Sequence, residues 1–564
     1  MRRPVPVKFL RNCGNPLIGN KRTPGLAPAT GRQKSYPATC RLCNLLPMIL
    51  LLAACSNTPV QVQTPSGRLE GYVADGVEHY LGIPYAQPPV GNLRWRPPQP
   101  VVPWSGVLRV QDNPVACPQF VPLWPALVGS EDCLYLNVWT PADRPAEAMP
   151  VMVWLHGGGF FLGKGSFSDD DGANLARLKN VVVVTVDYRL GVFGFLAHPQ
   201  LSAEDPDYPG SGNYGLQDQR AALEWVRDHI AAFGGDPGNV TLFGQSAGAI
   251  SVCAHLASPA ARGLFQRAII ESGPCAQPLP TLASAYELGR QVAAGVNCGK
   301  VPDALACMRD KSTASVAEVL RPDPTFGFNT HSILWWPTID GVVLPDQIME
   351  TIRAGDFNRV PVIAGATRDE ATLLVWMSHN LWLRPLRADQ YLERLAFLMG
   401  SRELAETVAA QYPLENYPAP FDALSAAFSD GFFNCPTRWL VQALSAYVPV
   451  WSYQFDYDEA PFPLPWAKLG AFHAAEIQFV FKRPMRLVGP GFNKDEAQLA
   501  DRMMTYWTRF ARSGDPNGDQ LYWPRYDESE RSIVFNRHDS VVSGLKAEAC
   551  AFWERLDYLR PPPR

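Results

Sequence analysis

Ser246 lies in Gly244-Gln245-Ser246-Ala247-Gly248, behind a run holding Val240, Leu242 and Phe243 and ahead of small and apolar residues that can start a helix. Strand, sharp turn and helix with a serine at the apex lift a hydroxyl clear of the backbone, where it can attack a carbonyl. The glycines two before and two after the serine suit a turn too tight for a β-carbon. The first N–H groups of the following helix then face whatever the hydroxyl attacks.

A serine hydroxyl is a poor nucleophile until an imidazole takes its proton, and that imidazole needs a carboxylate to fix its tautomer. Of nine histidines, His473 in Gly470-Ala-Phe-His-Ala-Ala-Glu476 falls in a small-residue turn beyond a strand. A doubly wound sheet places its last functional loop there. Asp369 and Glu370 follow the strand Pro361-Val-Ile-Ala-Gly365, so one of these two acids arrives at a carboxyl end. Spacing leaves the two tied. The order serine, acid, histidine matches the nucleophile-elbow hydrolases and not the trypsin or subtilisin orders. His156-Gly157-Gly158-Gly159-Phe160 supplies an oxyanion signal, because consecutive glycines expose N–H groups with no side chain in the way. Gly158 and Gly159, with Ala247 behind the nucleophile, are the expected donors. A phosphate loop is excluded, since no G-K-[ST] ends this run.

These residues need a frame. A formal net charge of -4, 47% hydrophobic and 18% charged residues describe a globular body, and no basic stripe or zinc spacing points to nucleic acid. Leu134–Trp139, 150–155 and Val181–Val186 read as strands covered on both faces. Further strands are expected over 267–270, 360–364, 450–456 and 529–536, and helices over 216–233 and 495–510. Gly67–Ile83, broken by Asp75-Gly76, reads as a small antiparallel hairpin sheet. The stretches 275–355 and 376–448 are mostly helical in pattern and would stand over the sheet edge, shaping a substrate gorge. The expected organisation is a processing segment over 1–54, a short tether over 55–66, and a single α/β domain over 67–564.

The first 54 residues are set apart. Arg41 precedes the apolar run Leu45–Leu52, which ends in Leu52-Ala53-Ala54-Cys55. A positive flank, a short apolar core and small residues make an export signal. The core falls short of the roughly 20 residues that span a bilayer. Its last four residues resemble the lipobox of bacterial lipoproteins, with Cys55 the acylated residue. Ser56 behind it favours an outer-membrane address; a periplasmic or secreted soluble form is the alternative.

Taken together, the chain resembles the type-B carboxylesterases, the cholinesterase-like branch of the α/β-hydrolases. The resemblance rests on YLGIPYAQPPVGNLRWRPP at 80–98, SEDCLYLNVW at 130–139, HGGGF at 156–160, the block at 212–249, DE at 369–370 and FHAAEIQFVF at 472–481. It implies an α/β-hydrolase fold with a large, mostly parallel sheet, Glu370 as the acid, His473 as the base, and Gly158, Gly159 and Ala247 as oxyanion donors. It also implies that Ser272 supports the triad by hydrogen bonding, and that Cys117–Cys133, Cys298–Cys307 and Cys435–Cys550 are disulfides. Cys253 and Cys275 would remain free buried thiols. Arg94–Glu131 and Arg189–Asp218 would be ion pairs bracing loops under the site.

Departures from the cholinesterases narrow the substrate. Gln245 stands where those enzymes carry glutamate, and Trp124 is the sole candidate for their cation-binding tryptophan. A cationic choline head wants an aromatic face and negative potential; both supports are weakened. Trp335 and Trp336 fall near the family's acyl pocket, or else simply pack in the core. Phe326, Phe328, Trp376 and Trp382 would suit an apolar or aromatic ester. The implied chemistry is ester hydrolysis through an acyl-enzyme, with no metal or organic cofactor. A polyester or toxin esterase and a lipase share these motifs. A silent adhesion module of the same superfamily would lack a triad member, and here all three positions are filled.

Overall fold

The unbroken apolar runs form the middle of a 13-stranded sheet. Its path uses β1 (Thr58–Thr64), β2 (Gly67–Ala74), β3 (Val77–Pro84), β4 (Tyr135–Pro141), β5 (Met149–Leu155) and β6 (Val182–Val186). It continues with β7 (Gly235–Gln245), β8 (Arg267–Glu271), β9 (Val362–Thr367), β10 (Val450–Phe455), β11 (Arg531–Phe535) and β12 (Ser540–Ser543). The spatial order is β1-β2-β3-β4-β6-β5-β7-β8-β9-β10-β11-β12, with Val107–Arg109 paired to β2 off that path. From β6 to β11 every pairing is parallel. The N-terminal strands join antiparallel, continuous with the main sheet where β3 pairs β4.

This computed structural model describes residues 58–556 apart from 122–125, 166–169, 322–333, 381–383, 465 and 486–490. Cys55, Trp124, Phe326, Phe328 and Trp382 lie outside the described residues. The described residues belong to one compact unit, Cys55–Arg564.

Alternation along the central strands splits the core in two. Val151, Val153 and Leu155 of β5 face one apolar cluster, while Met152 and Trp154 face the other. The helices α1 (Tyr214–His229) and α2 (Ala247–Ala257) pack in the first layer; α3 (Glu370–Ser378) and α4 (Cys435–Ser445) come after them, above the sheet's end. The second layer is organised by α5 (Lys494–Ser513), whose Leu499, Met503, Trp507 and Phe510 are fully buried. Asn493 and Glu496 form a capping box at its start, and Gly514 turns left-handed at its end.

Three expectations are corrected. The stretch read as a tether holds β1, which pairs with β2 from Thr58 to Thr64. Its alternation of half-buried Val60 and Val62 with exposed glutamines is short, and it sits at a sheet edge with little apolar signal. The final strand is a hairpin, because β12 returns antiparallel on β11. Cys253 and Cys275 are not free: they form a disulfide with Cα atoms 6.2 Å apart. The chain leaving β8 passes alongside α2, a proximity that depends on the β7–β8 pairing and not on local sequence. The other three disulfides form as expected, and Cys435–Cys550 ties α4 to α6 (Ala547–Leu556).

Both expected ion pairs are present and buried. Arg94 donates to Glu131 at 2.7 Å through Nε and to three carbonyls of the segment 308–311. Arg189 donates through Nε and an Nη to the two oxygens of Asp218, each at 2.7 Å, over the face of Tyr214. Burial holds the Asp218 carboxyl above its ordinary range in spite of that guanidinium. Desolvation therefore offsets the attraction, and the pair contributes little net stability. Removing one partner is another matter. Arg189→Met is expected to lower the unfolding free energy by about 3–5 kcal/mol in urea titrations, and Arg189→Met with Asp218→Leu to recover most of that loss. Equal losses in the two proteins would contradict it.

Candidate active site

Ser246 takes φ 57° and ψ −121°, a strained conformation between β7 and α2. Its N–H donates to the Glu271 carbonyl at 2.9 Å, which anchors the turn to the neighbouring strand. A β-carbon on Gly248 would lie 1.9 Å from the Leu155 carbonyl oxygen, so only glycine lets α2 start this close to β5. Just past Leu155 the chain enters His156-Gly157-Gly158-Gly159, where Gly158 has φ +110° and a β-carbon would meet the Leu162 carbonyl at 2.1 Å. Among the described residues the N–H groups of Gly158 and Gly159 donate to no carbonyl. Ala247 opens α2 and has no intrahelical acceptor for its own N–H.

Glu370 is fully buried at the start of α3. One of its oxygens accepts from the Thr367 N–H at 2.7 Å, and the other meets Nδ1 of His473. Asp369 does something different. Its carboxylate accepts from the Ala471 N–H at 3.0 Å and from Arg368 at 2.7 Å, while its own N–H donates back to the Ala471 carbonyl. One acid holds the loop; its neighbour holds the imidazole.

With Nδ1–H given to Glu370, Nε2 of His473 accepts from the Gln245 amide at 3.2 Å. No hydrogen bond joins this ring to Ser246 Oγ among the described residues, although both face one cavity of about 300 Å³. Nucleophile–base contacts are often loose before substrate binds. Phe433 lies against the imidazole, ring centroids 4.8 Å apart. It belongs to a π-helical turn, Ser429–Asn434, whose Ser429 Oγ accepts from the Ala371 N–H beside Glu370. Such turns re-aim side chains at functional sites. The cavity's walls are mostly apolar, among them Phe160, Ile250, Trp336, Leu374, Phe432 and Met485, with Asp170 also in the lining. Gly158, Gly159, Ala247, Ser246 and His473 line the same cavity. His156, stacked on Tyr188, is held neutral, its pKa lowered to about 4 by burial. Among the described residues no group of acids, histidines and cysteines could hold a metal ion.

A glycine-lined pocket, a serine on a strained elbow and a histidine held by a buried glutamate suit acyl transfer. The model of the carboxylesterase family matches residues 58–553. The chain belongs to the carboxylesterase family.

It is similar to the para-nitrobenzyl esterase of Bacillus subtilis (strain 168), 38% identical over 84% of this chain and 94% of that protein. It is also similar to carboxylesterase 1E of Rattus norvegicus, 35% identical over 87% and 92% of the two chains. A solved PNB esterase structure superposes with a TM-score of 0.74 at 34% identity, over 87% of this chain and 99% of that one. This carboxylesterase is a carboxylic ester hydrolase with the α/β-hydrolase fold.

The structure sorts the remaining expected site residues. Trp336 lines the cavity, but Trp335 is not in its lining and packs in the core near Gly191. Trp376 meets Phe462 edge to face and is not part of the lining. Ser272 donates to Glu476 at 3.3 Å, and among the described residues no hydrogen bond joins it to a triad residue. Sequence reasoning assigns no role to Phe433 or Glu476; the only signal for Glu476 is its place three residues after His473.

The two neighbouring acids give a clean test. Glu370→Gln is expected to lower kcat by about 10³–10⁴, through loss of the proper tautomer and of charge stabilisation. Asp369→Asn, which loosens only the loop, is expected to cost less than about tenfold. Steady-state kinetics on one soluble ester decides, and a reversed ranking would hand the role to Asp369.

Proposed function

We propose that this carboxylesterase cleaves neutral esters of small to medium size, apolar or aromatic in character, through an acyl-enzyme on Ser246. The observation that carries the reading is the Glu370–His473 contact opening onto the same apolar cavity as Ser246 and the free glycine N–H groups. In this mechanism Nε2 of His473 turns from the Gln245 amide to the Ser246 hydroxyl and takes its proton as Oγ attacks the ester carbonyl. The tetrahedral oxyanion is held by the N–H groups of Gly158, Gly159 and Ala247. His473 then protonates the leaving alcohol, and later activates the water that releases the acid. Glu370 keeps the ring oriented and compensates its charge.

Volume and polarity bound the substrate range. About 300 Å³ stands at the lower end of the range for ligand pockets. Its lining is mostly apolar, with the Asp170 carboxylate, which accepts from the Trp154 indole, also in it, and Gln245 brings an uncharged amide to the imidazole. Trp336 bounds the cavity and sets the size of the acyl group. The prediction is a kcat/KM that peaks on short- to medium-chain p-nitrophenyl esters, accepts benzyl esters and is at least about a hundredfold lower on acetylcholine. Ser246→Ala should abolish turnover of all of them. Activation at an oil–water interface, with a rising rate on long acyl chains, would favour a lipase instead.

We further infer that Cys55 is acylated and holds the enzyme at the cell envelope, most simply at the outer membrane. Support comes from the run Leu45–Leu52 and the Leu52-Ala53-Ala54-Cys55 ending. Among the described residues no helix is long and apolar enough to cross a membrane. Metabolic labelling with a palmitate analogue should mark the full chain and fail on Cys55→Ala. Label that persists in the variant overturns the assignment.

A further inference from the structure

Behind the triad lies a layer of acid that the ester chemistry leaves unused. Glu271 ends β8 and Glu476 lies three residues beyond His473; both are fully buried. Each carboxyl uses one oxygen. Trp507 Nε1–H donates to Glu271 Oε1 at 2.7 Å, and Ser272 Oγ donates to Glu476 Oε1 at 3.3 Å. The second oxygen of each, Oε2, is buried with no hydrogen-bond partner. Orphaned acceptors on two neighbouring acids are a costly arrangement if both are ionised.

We propose that Glu271 and Glu476 share one proton, so that the pair bears a single negative charge and acts as a positioning device for Ser272 and Glu370. A proton on either acid gives one orphaned oxygen a hydrogen and removes the repulsion between two buried carboxylates that no cation offsets. The groups that face the pair do not supply that proton's equivalent. They are the Glu370 carboxylate, the Tyr453 phenol, the Trp507 indole and the Ser272 hydroxyl, all acidic or neutral. Burial pushes Glu271 up to about 8 and Glu476 well above the carboxylate range, the latter also through Glu271 and Glu370. Acids that interact this closely titrate as a pair.

The pair touches the catalytic apparatus from behind. Ser272, with φ +54°, donates its N–H to the Gly365 carbonyl of β9, the strand that leads to Glu370. The Glu271 carbonyl receives the N–H of Ser246. Loss of the shared proton would place a second charge beside Glu370 in a fully buried layer, and drive the carboxylates apart with the strands that carry them. Linkage sets the sign. The folded protein keeps this proton above the unfolded value of 4.5, so the pair's contribution to stability falls as pH rises from there through about 8.

Glutamine tests this with little change in shape. In Glu271→Gln or Glu476→Gln, the amide oxygen still accepts from Trp507 or Ser272, and the amide N–H₂ permanently replaces the shared proton. The link to turnover rests on the Glu370–His473 assignment, whereas the sharing of a proton does not. Infrared spectra of the full-length enzyme in D₂O read the proton directly. A protonated-carboxyl band at pH 7 should fade as pH rises past about 8 and be missing from both single variants. Relative to wild type, both variants should hold their Tm between pH 7 and 9 and raise the ratio of kcat at pH 9 to kcat at pH 7 by roughly threefold or more. Absence of the band in wild type, or its persistence in both variants, overturns the proposal. If neither variant folds, the wild-type band and its pH dependence decide alone. If the band behaves as expected and the kcat ratio does not move, the proton is shared but does not steer the triad, and the positioning claim falls.

Discussion

The close approach of Gly248 to the Leu155 carbonyl is the constraint on which the site depends. β5 and β7 are parallel neighbours, so their carboxyl ends emerge side by side. The triple-glycine loop leaves the end of β5, and the nucleophile turn leaves the end of β7. A side chain at position 248 would drive these two segments apart. With hydrogen in its place, Gly158, Gly159 and Ala247 line one cavity together with Ser246. Segments distant in the chain are thus brought together by close-packed backbone contact.

The opposite wall is built by a second set of locks. Asp369 and Ala471 exchange backbone and side-chain hydrogen bonds, so the turn bearing the acid and the turn bearing the histidine move as one body. Ser429 holds the Ala371 N–H in the first turn of α3, and the π-helical turn it opens sets Phe433 on the imidazole. That turn is wedged against Trp553 of α6, which leaves no room for a side chain at Gly431, and Cys435–Cys550 fastens α4, which follows the turn directly, to α6 covalently. The disulfides here reinforce packing already present, and Cys253–Cys275 does so for α2 and the chain that leaves β8.

How much of this is legible in the sequence depends on whether the signal is local. The elbow and the triple glycine are short-range turn chemistry, and they can be read from five residues each. The central strands announce themselves as unbroken β-branched runs. The choice between Asp369 and Glu370 has no local signal, since the two are adjacent, equally acidic and equally placed after a strand. Spacing leaves it open and motif resemblance favours Glu370; the carboxyl of that residue meets His473 because Asp369 faces Ala471. Cys253 and Cys275 read as separate thiols because their meeting is a consequence of strand order. Trp335 and Trp336 read as one feature, although only Trp336 lines the cavity. Glu271 and Glu476 give no hint of burial, because an acid's burial is decided by what surrounds it.

Charge accounts for one further feature of this site. Glu370 lies behind the imidazole, and Glu271 and Glu476 lie behind Glu370, so the interior face of the ring already carries more acid than a dry site easily holds. A carboxylate at position 245 would bring negative charge to the cavity face as well, beside Nε2. The amide of Gln245 reaches the same nitrogen and adds none. It also adds no charge at the imidazole, where the lining includes Phe160, Trp336 and Phe432. The single departure at position 245 thus fits both sides of the imidazole: it spares the buried acids further repulsion and suits a substrate without charge.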